Sequence, residues 1–105
     1  MRVVVLIWLL LATGEARSEV IELEGFGTIE LNALECVEVS RSRMIRRICY
    51  DEWTRYMLVD IEGQYRLFCG VDRRTIDGFV HAKSMAQFFA QIRREHGCRS
   101  RPAAQ

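Results

Sequence analysis

MIRRICYDEWTRYMLVDIEGQYRLFCGV, residues 44–71, is the stretch on which the fold turns. Residues 44–50 are rich in β-branched and aromatic side chains and run into 51–54 (DEWT), which reads as a four-residue turn. Residues 55–61 (RYMLVDI) form a second apolar run, Glu62-Gly63 a tight turn, and residues 64–71 (QYRLFCGV) a third run. Three short runs joined by short turns predict an antiparallel meander with residues 56–61 in the middle.

C-terminal to this stretch the apolar period changes from two to 3.6. Asp72 reads as the N-cap of a helix that carries Ile76, Phe79 and Val80 on one face, with Gly78 weakening it by about 1 kcal/mol relative to alanine. Ser84 opens a second helix, Gln87 completes a capping box, and Met85, Phe88, Phe89 and Ile92 fall on one stripe. Arg93, Arg94 and His96 suit the negative end of that helix, and Gly97 reads as its stop. The expected architecture is α+β, a small antiparallel β-meander packed against a C-terminal αα-hairpin and stapled by disulfides.

N-terminal to the stretch the text is less regular. Residues 17–39 form an acidic segment, VIELEGFGTIELNALECVEV at its centre, expected to supply edge strands or an extended arm broken at Gly25 to Gly27. Glu19, Glu22, Glu24, Glu30, Glu35 and Glu38 crowd this part, and Arg41, Arg43, Arg46 and Arg47 follow at once, so the two blocks are expected to be solvated or to pair with each other. The net charge of +1 offers no global field to draw nucleic acid or a membrane.

The first residues carry Arg2 and then an unbroken apolar run from Val3 to Ala12. That run is too short to span a bilayer, which needs about twenty residues, and it has the length of a signal-peptide core. Small residues at Ala12, Gly14 and Ala16 suit a peptidase, and residues 1–16 read as a signal peptide cut after Ala16. The expectation is a periplasmic or secreted protein with no membrane span after cleavage. Residues 99–105 lack any pattern and read as a disordered tail.

Cys36, Cys49, Cys69 and Cys98 are even in number and follow an export signal into an oxidising compartment, which favours two disulfides. None of their spacings is the close pair of a zinc finger or ribbon, and neither a metal nor a cofactor is expected. In the meander Cys49 is expected opposite Tyr56, and Tyr56 opposite Cys69. Cys49 and Cys69 then flank the central strand about 9 to 10 Å apart, beyond the roughly 7 Å limit of a disulfide. Two connectivities remain open: Cys36 with Cys49 and Cys69 with Cys98, or Cys36 with Cys69 and Cys49 with Cys98. The first closes the more local loops.

From Ser40 to Arg94 the chain resembles the KTSC domain, a small module found at the C-terminus of some lysyl-tRNA synthetases and also alone in bacterial proteins. The serine-containing lead-in SRSR, the Tyr50-Asp51 pair, the aromatic third strand and the closing MAQFFAQIR carry the resemblance. The cysteines, the leader and the acidic segment make it look like an exported, single-domain branch, with residues 40–98 as the KTSC-like domain. The family's tyrosine pair on the third strand maps either to Tyr65 and Leu67 or to Arg66 and Phe68, and neither register restores both tyrosines. The resemblance brings no established activity, and its suggestion of RNA binding rests on the synthetase association.

No catalytic set is visible: the only histidines, His81 and His96, close the two helices, and no HExxH, GxSxG or phosphate-cradling glycine loop occurs. The expected function is therefore a non-enzymatic binding module with an extracellular or periplasmic ligand or protein partner. A polyanion or nucleic-acid site would use Arg46, Arg47, Arg55 and Arg66 interleaved with Tyr50, Trp53, Tyr56 and Tyr65. Export disfavours nucleic acid. A cysteine-dependent redox protein is the third class, and it requires an exposed thiol. The contact candidates are Trp53, Arg46, Arg47 and Tyr65. Trp53 stands out because a turn ordinarily carries small or polar residues, and the alternative is that it packs back over the sheet edge.

Overall fold

The computed structural model describes residues 19–98; the signal peptide expected at 1–16 and the tail expected at 99–105 lie outside the described residues. The predicted meander is present and has a fourth strand. β3 (Glu35–Glu38), β4 (Ile45–Asp51), β5 (Tyr56–Ile61) and β6 (Gln64–Phe68) form one antiparallel sheet in chain order. Helices α1 (Arg73–Val80) and α2 (Met85–Glu95) follow, and β1 (Val20–Leu23) with β2 (Gly27–Glu30) forms a separate two-stranded hairpin before the sheet. A 3-10 turn at Leu31–Ala33 joins hairpin to sheet. The α+β fold, the meander and the helical hairpin are as the sequence predicts.

The two faces of the sheet are covered by different parts of the chain. Ile45, Ile48 and Tyr50 from β4, Met57 and Val59 from β5, and Phe68 from β6 pack on Ile76, Phe79, Met85, Phe89 and Ile92 of the helices. A bulge between Ile45 and Arg47 shifts the register, so Ile45 and Ile48 both reach this core although they are three residues apart. Cys49 and Leu58 point the opposite way. They pack with Leu31, Ile21, Leu23, Ile29, Leu34, Tyr65 and Leu67 in a second, smaller core beneath the N-terminal segment. The acidic segment is thus a second covering layer. Its apolar residues Ile21, Leu23, Ile29 and Leu31 alternate with exposed polar ones, and the hairpin presents that stripe to the sheet.

Local chemistry explains the element ends. Asp72 accepts a hydrogen bond from the Thr75 N–H, and Ser84 accepts one from the Gln87 N–H, as N-caps do. Asp72 stays ionised below the usual carboxylate range because the Thr75 hydroxyl and N–H both donate to it. The Glu62-Gly63 turn has positive φ at both residues, 53° and 95°, the type I′ geometry that follows the strands' twist. Gly78 does more than weaken α1: a Cβ there would lie 3.1 Å from the Phe88 ring, so its hydrogen lets α2 approach. Phe79 stacks on both Phe88 and Phe89, with centroids 5.6 and 5.9 Å away.

Several expectations need correction. The first turn occupies 52–55, because Asp51 still pairs with Tyr56, and Cys49 therefore lies opposite Leu58 instead of Tyr56. The third meander strand stops at Phe68 and not at Val71. There Gly70 turns the chain with φ of 67°, and the Cys69 N–H donates to the His96 carbonyl. Gly97 is no left-handed stop. The helix closes at His96, whose N–H bonds to the Ile92 carbonyl, and Gly97 bridges to Phe68. Trp53 does not pack over the sheet edge; it is 93 % exposed.

Candidate binding groove

The cysteines pair as Cys36 with Cys49 and Cys69 with Cys98, and none of the four is free. The first link ties β3 to β4 and the second fastens the return of α2 to the end of β6. Cys49 and Cys69 remain unbonded to each other because the central strand separates them, as the meander requires.

Where the hairpin leaves part of the sheet uncovered, a half-open groove of about 500 Å³ remains. A groove of that size can hold a small ligand or a few side chains. Leu58 and Tyr56 of β5 line it on the sheet side, and Phe26, Ile29, Ala33 and Leu34 on the hairpin side. Glu30, Thr28, Asp51 and Thr54 supply the polar lining, and among the described residues no cationic side chain contributes. Alternation turns Leu58 toward the hairpin, where it lies fully buried beneath the groove, because Met57 and Val59 are committed to the helical core.

The two carboxylates differ in their engagement. Asp51 is held by the β4–β5 turn, its Oδ1 accepting from the Trp53 N–H and its Oδ2 from the Thr54 hydroxyl. Glu30 has no ion-pair partner among the described residues. Trp53 projects from the same turn that supplies Asp51 and Thr54 to the groove, and Tyr56 beside it is 37 % exposed. Two exposed aromatics and unneutralised negative charge therefore share one end of the molecule.

The other sequence-predicted contacts do not converge. The Arg47 guanidinium binds Glu38 at 2.7 Å and Glu19 at 3.2 Å and donates to the Tyr65 hydroxyl, linking the start of the hairpin, β3 and β6. These hydrogen bonds hold its pKa above the ordinary arginine value. Tyr65 is pushed up by burial, with Arg47 opposing the shift. Arg46 is exposed at the bulge, while Arg66 sits opposite Val59, on the helical side of the sheet. Tyr50 is buried and donates to the Val71 carbonyl at 2.6 Å. Arg73 bridges Glu35 and Glu52, each at 3.0 Å, and lies over the Tyr50 ring. The arginines and aromatics named as an interleaved surface thus occupy both faces, and one of those arginines, Arg47, is neutralised within the chain.

Residues 20–34 are expected from sequence as edge strands or an extended arm broken at Gly25 to Gly27; that the two strands pair as a hairpin and lie over the sheet as the groove's wall was missed. The available signal was the Gly25-Phe26-Gly27 turn between two short alternating runs, which is a hairpin pattern. Among the described residues no group of acidic, histidine or cysteine side chains is arranged to hold a metal, and no helix is long and apolar enough to cross a membrane.

Fold and groove together define a small α+β domain with a three-layer build, two disulfides and an apolar cleft between hairpin and sheet. Residues 41–96 match the model of the KTSC domain, and the chain belongs to that family. Neither the curated proteins nor the solved structures hold a significant match to it. The family match begins after β3, so the hairpin, the 3-10 turn, Cys36 and most of the groove's apolar wall lie outside it.

Proposed function

We propose that this protein is an exported binding module whose ligand site is the groove between the β1–β2 hairpin and the sheet. The observation that carries the reading is the groove itself, with its apolar lining, a Glu30 that has no ion-pair partner among the described residues, and exposed aromatics at one end. A ligand entering it would gain apolar contact with Leu34 and Tyr56, above the fully buried Leu58, and be oriented by the polar rim. Export is supported by the engagement of all four cysteines in disulfides and by the leader-like residues 1–16.

Two measurements test this reading. Expressed from Met1 in a bacterial host, the mature protein is expected in the periplasm or medium with a mass that begins at Arg17; an uncleaved cytoplasmic chain overturns export. Titration of the isotope-labelled protein with an apolar fluorescent probe, anilinonaphthalene sulfonate, is expected to shift the resonances of Ile29, Leu34, Tyr56 and Leu58. Shifts confined to another surface, or none, overturn the groove as the site.

A further inference from the structure

The hairpin wall of the groove is an open strand edge. In an antiparallel pair, opposed residues alternate between those that exchange main-chain hydrogen bonds and those whose N–H and C=O point outward. The Leu31 N–H donates to the Glu19 carbonyl, which makes that pair a bonded one. Two residues along, Ile21 and Ile29 are bonded in turn, so Val20 with Glu30 and Glu22 with Thr28 are the outward-pointing pairs. The main-chain groups of Thr28 and Glu30 therefore face away from β1, on a strand whose residues line the groove. No turn or loop hydrogen bond among the described residues engages them.

Resting on the reading of the groove as the binding site, we propose that its occupant is an extended segment of a partner protein. The segment adds as a strand to β2 and alternates apolar with basic side chains. Strand addition to an exposed edge supplies main-chain hydrogen bonds, and alternate pockets supply selectivity. The side chain of Ile29 points toward the sheet, whereas Thr28 and Glu30 point outward and are exposed. A strand beside β2 has the same alternation: its inward residues fall on Leu34 and Tyr56, and its outward residues fall beside Glu30. Among the described residues the lining contains carboxylates and no cation, so the outward partner is lysine or arginine. β3 is also an edge, but the hollow beside it is only about 170 Å³, and Glu35 and Glu38 are already paired with Arg73 and Arg47.

The test uses the oxidised protein and three short synthetic peptides: leucine alternating with lysine, leucine alternating with glutamate, and the lysine peptide N-methylated at alternate amides. The lysine peptide is expected to bind, to slow hydrogen exchange at the Thr28 and Glu30 amides, and to bind Glu30→Gln at least about threefold more weakly, as loss of a rim charge pair implies. The glutamate and N-methylated peptides are expected to fail. Binding without protection of those two amides, or equal binding of all three peptides, overturns strand addition. If the apolar probe shifts the groove resonances while the lysine peptide does not bind, this inference falls and the groove reading stands. If neither binds, both fall. Concentration-dependent dimerisation that protects the same amides without peptide would make a second copy the occupant and overturn the proposal.

Discussion

Cys36 and Cys49 face each other directly across the β3–β4 ladder, with Cα atoms 4.0 Å apart and Cys49 fully buried against Leu58. The link binds the N-terminal layer to the meander at the point where the chain passes from the 3-10 turn into the sheet. Exposed β3 has no buried residue of its own, so this bond and its ladder hold it, together with the ion pairs of Glu35 with Arg73 and Glu38 with Arg47.

Replacing both Cys36 and Cys49 by alanine is therefore expected to lower unfolding free energy by about 3 kcal/mol, the chain-entropy value for a loop of this size. The loss should concentrate in β1 to β3, read by hydrogen exchange, while α1 and α2 keep their protection. Trypsin cuts after Arg17, Arg41, Arg47, Arg55, Arg66, Arg73, Arg94 and Arg99, which separates all four cysteines. A non-reduced digest is expected to show the Cys36 peptide joined to the Cys49 peptide and the Cys69 peptide to the Cys98 peptide. A Cys49–Cys69 link would contradict the strand order.

Trp53→Ala removes a side chain that is 93 % exposed. Its stability should stay within about 0.5 kcal/mol of the parent, as for other surface changes. A marked fall in Tm would mean that the ring packs on the domain. Unchanged Tm with weaker binding of the lysine peptide would place Trp53 in the contact.

Tyr50 gives a pH signature. Burial raises its pKa above the ordinary value of 10.0, so the folded state keeps the phenol proton where the unfolded chain releases it. Stability from this group is complete below pH 10 and declines as pH rises through the folded pKa. Tyr50→Phe should cost about 1 kcal/mol at neutral pH by leaving the Val71 carbonyl without its donor. It should also flatten the alkaline decline, with Tyr65 supplying the remaining slope. An alkaline melting series on both proteins checks the sign.

Glu62 occupies the first central position of the type I′ turn with φ of 53°, which asparagine or glycine adopts more readily. Glu62→Asn is expected to stabilise by about 0.5 to 1 kcal/mol, raising Tm by several degrees in a domain of this size. No change in Tm would mean that the turn carries no appreciable strain.

What the sequence alone determined follows from short-range physics. The strand-turn-strand spacing of residues 44–68, the caps at Asp72 and Ser84, and the stripe of Met85, Phe89 and Ile92 are local patterns, and each specifies its element without reference to distant residues. The disulfide that cannot form, Cys49 with Cys69, was legible for the same reason, since a meander separates alternate strands whatever else happens. Tertiary structure decided the rest. The side of the sheet on which Leu58 and Cys49 find partners depends on where Glu19 to Leu34 folds back. That choice is made by burial of Ile21, Leu23, Ile29 and Leu31, which are too few to declare a target in advance. The groove exists only because the hairpin covers part of that face and stops short, and neither segment carries the site by itself. The four cysteines, the feature most visible in the chain, fasten two separate places: Cys36–Cys49 ties the strand after the hairpin to the meander, and Cys69–Cys98 ties the return of α2 to the end of β6.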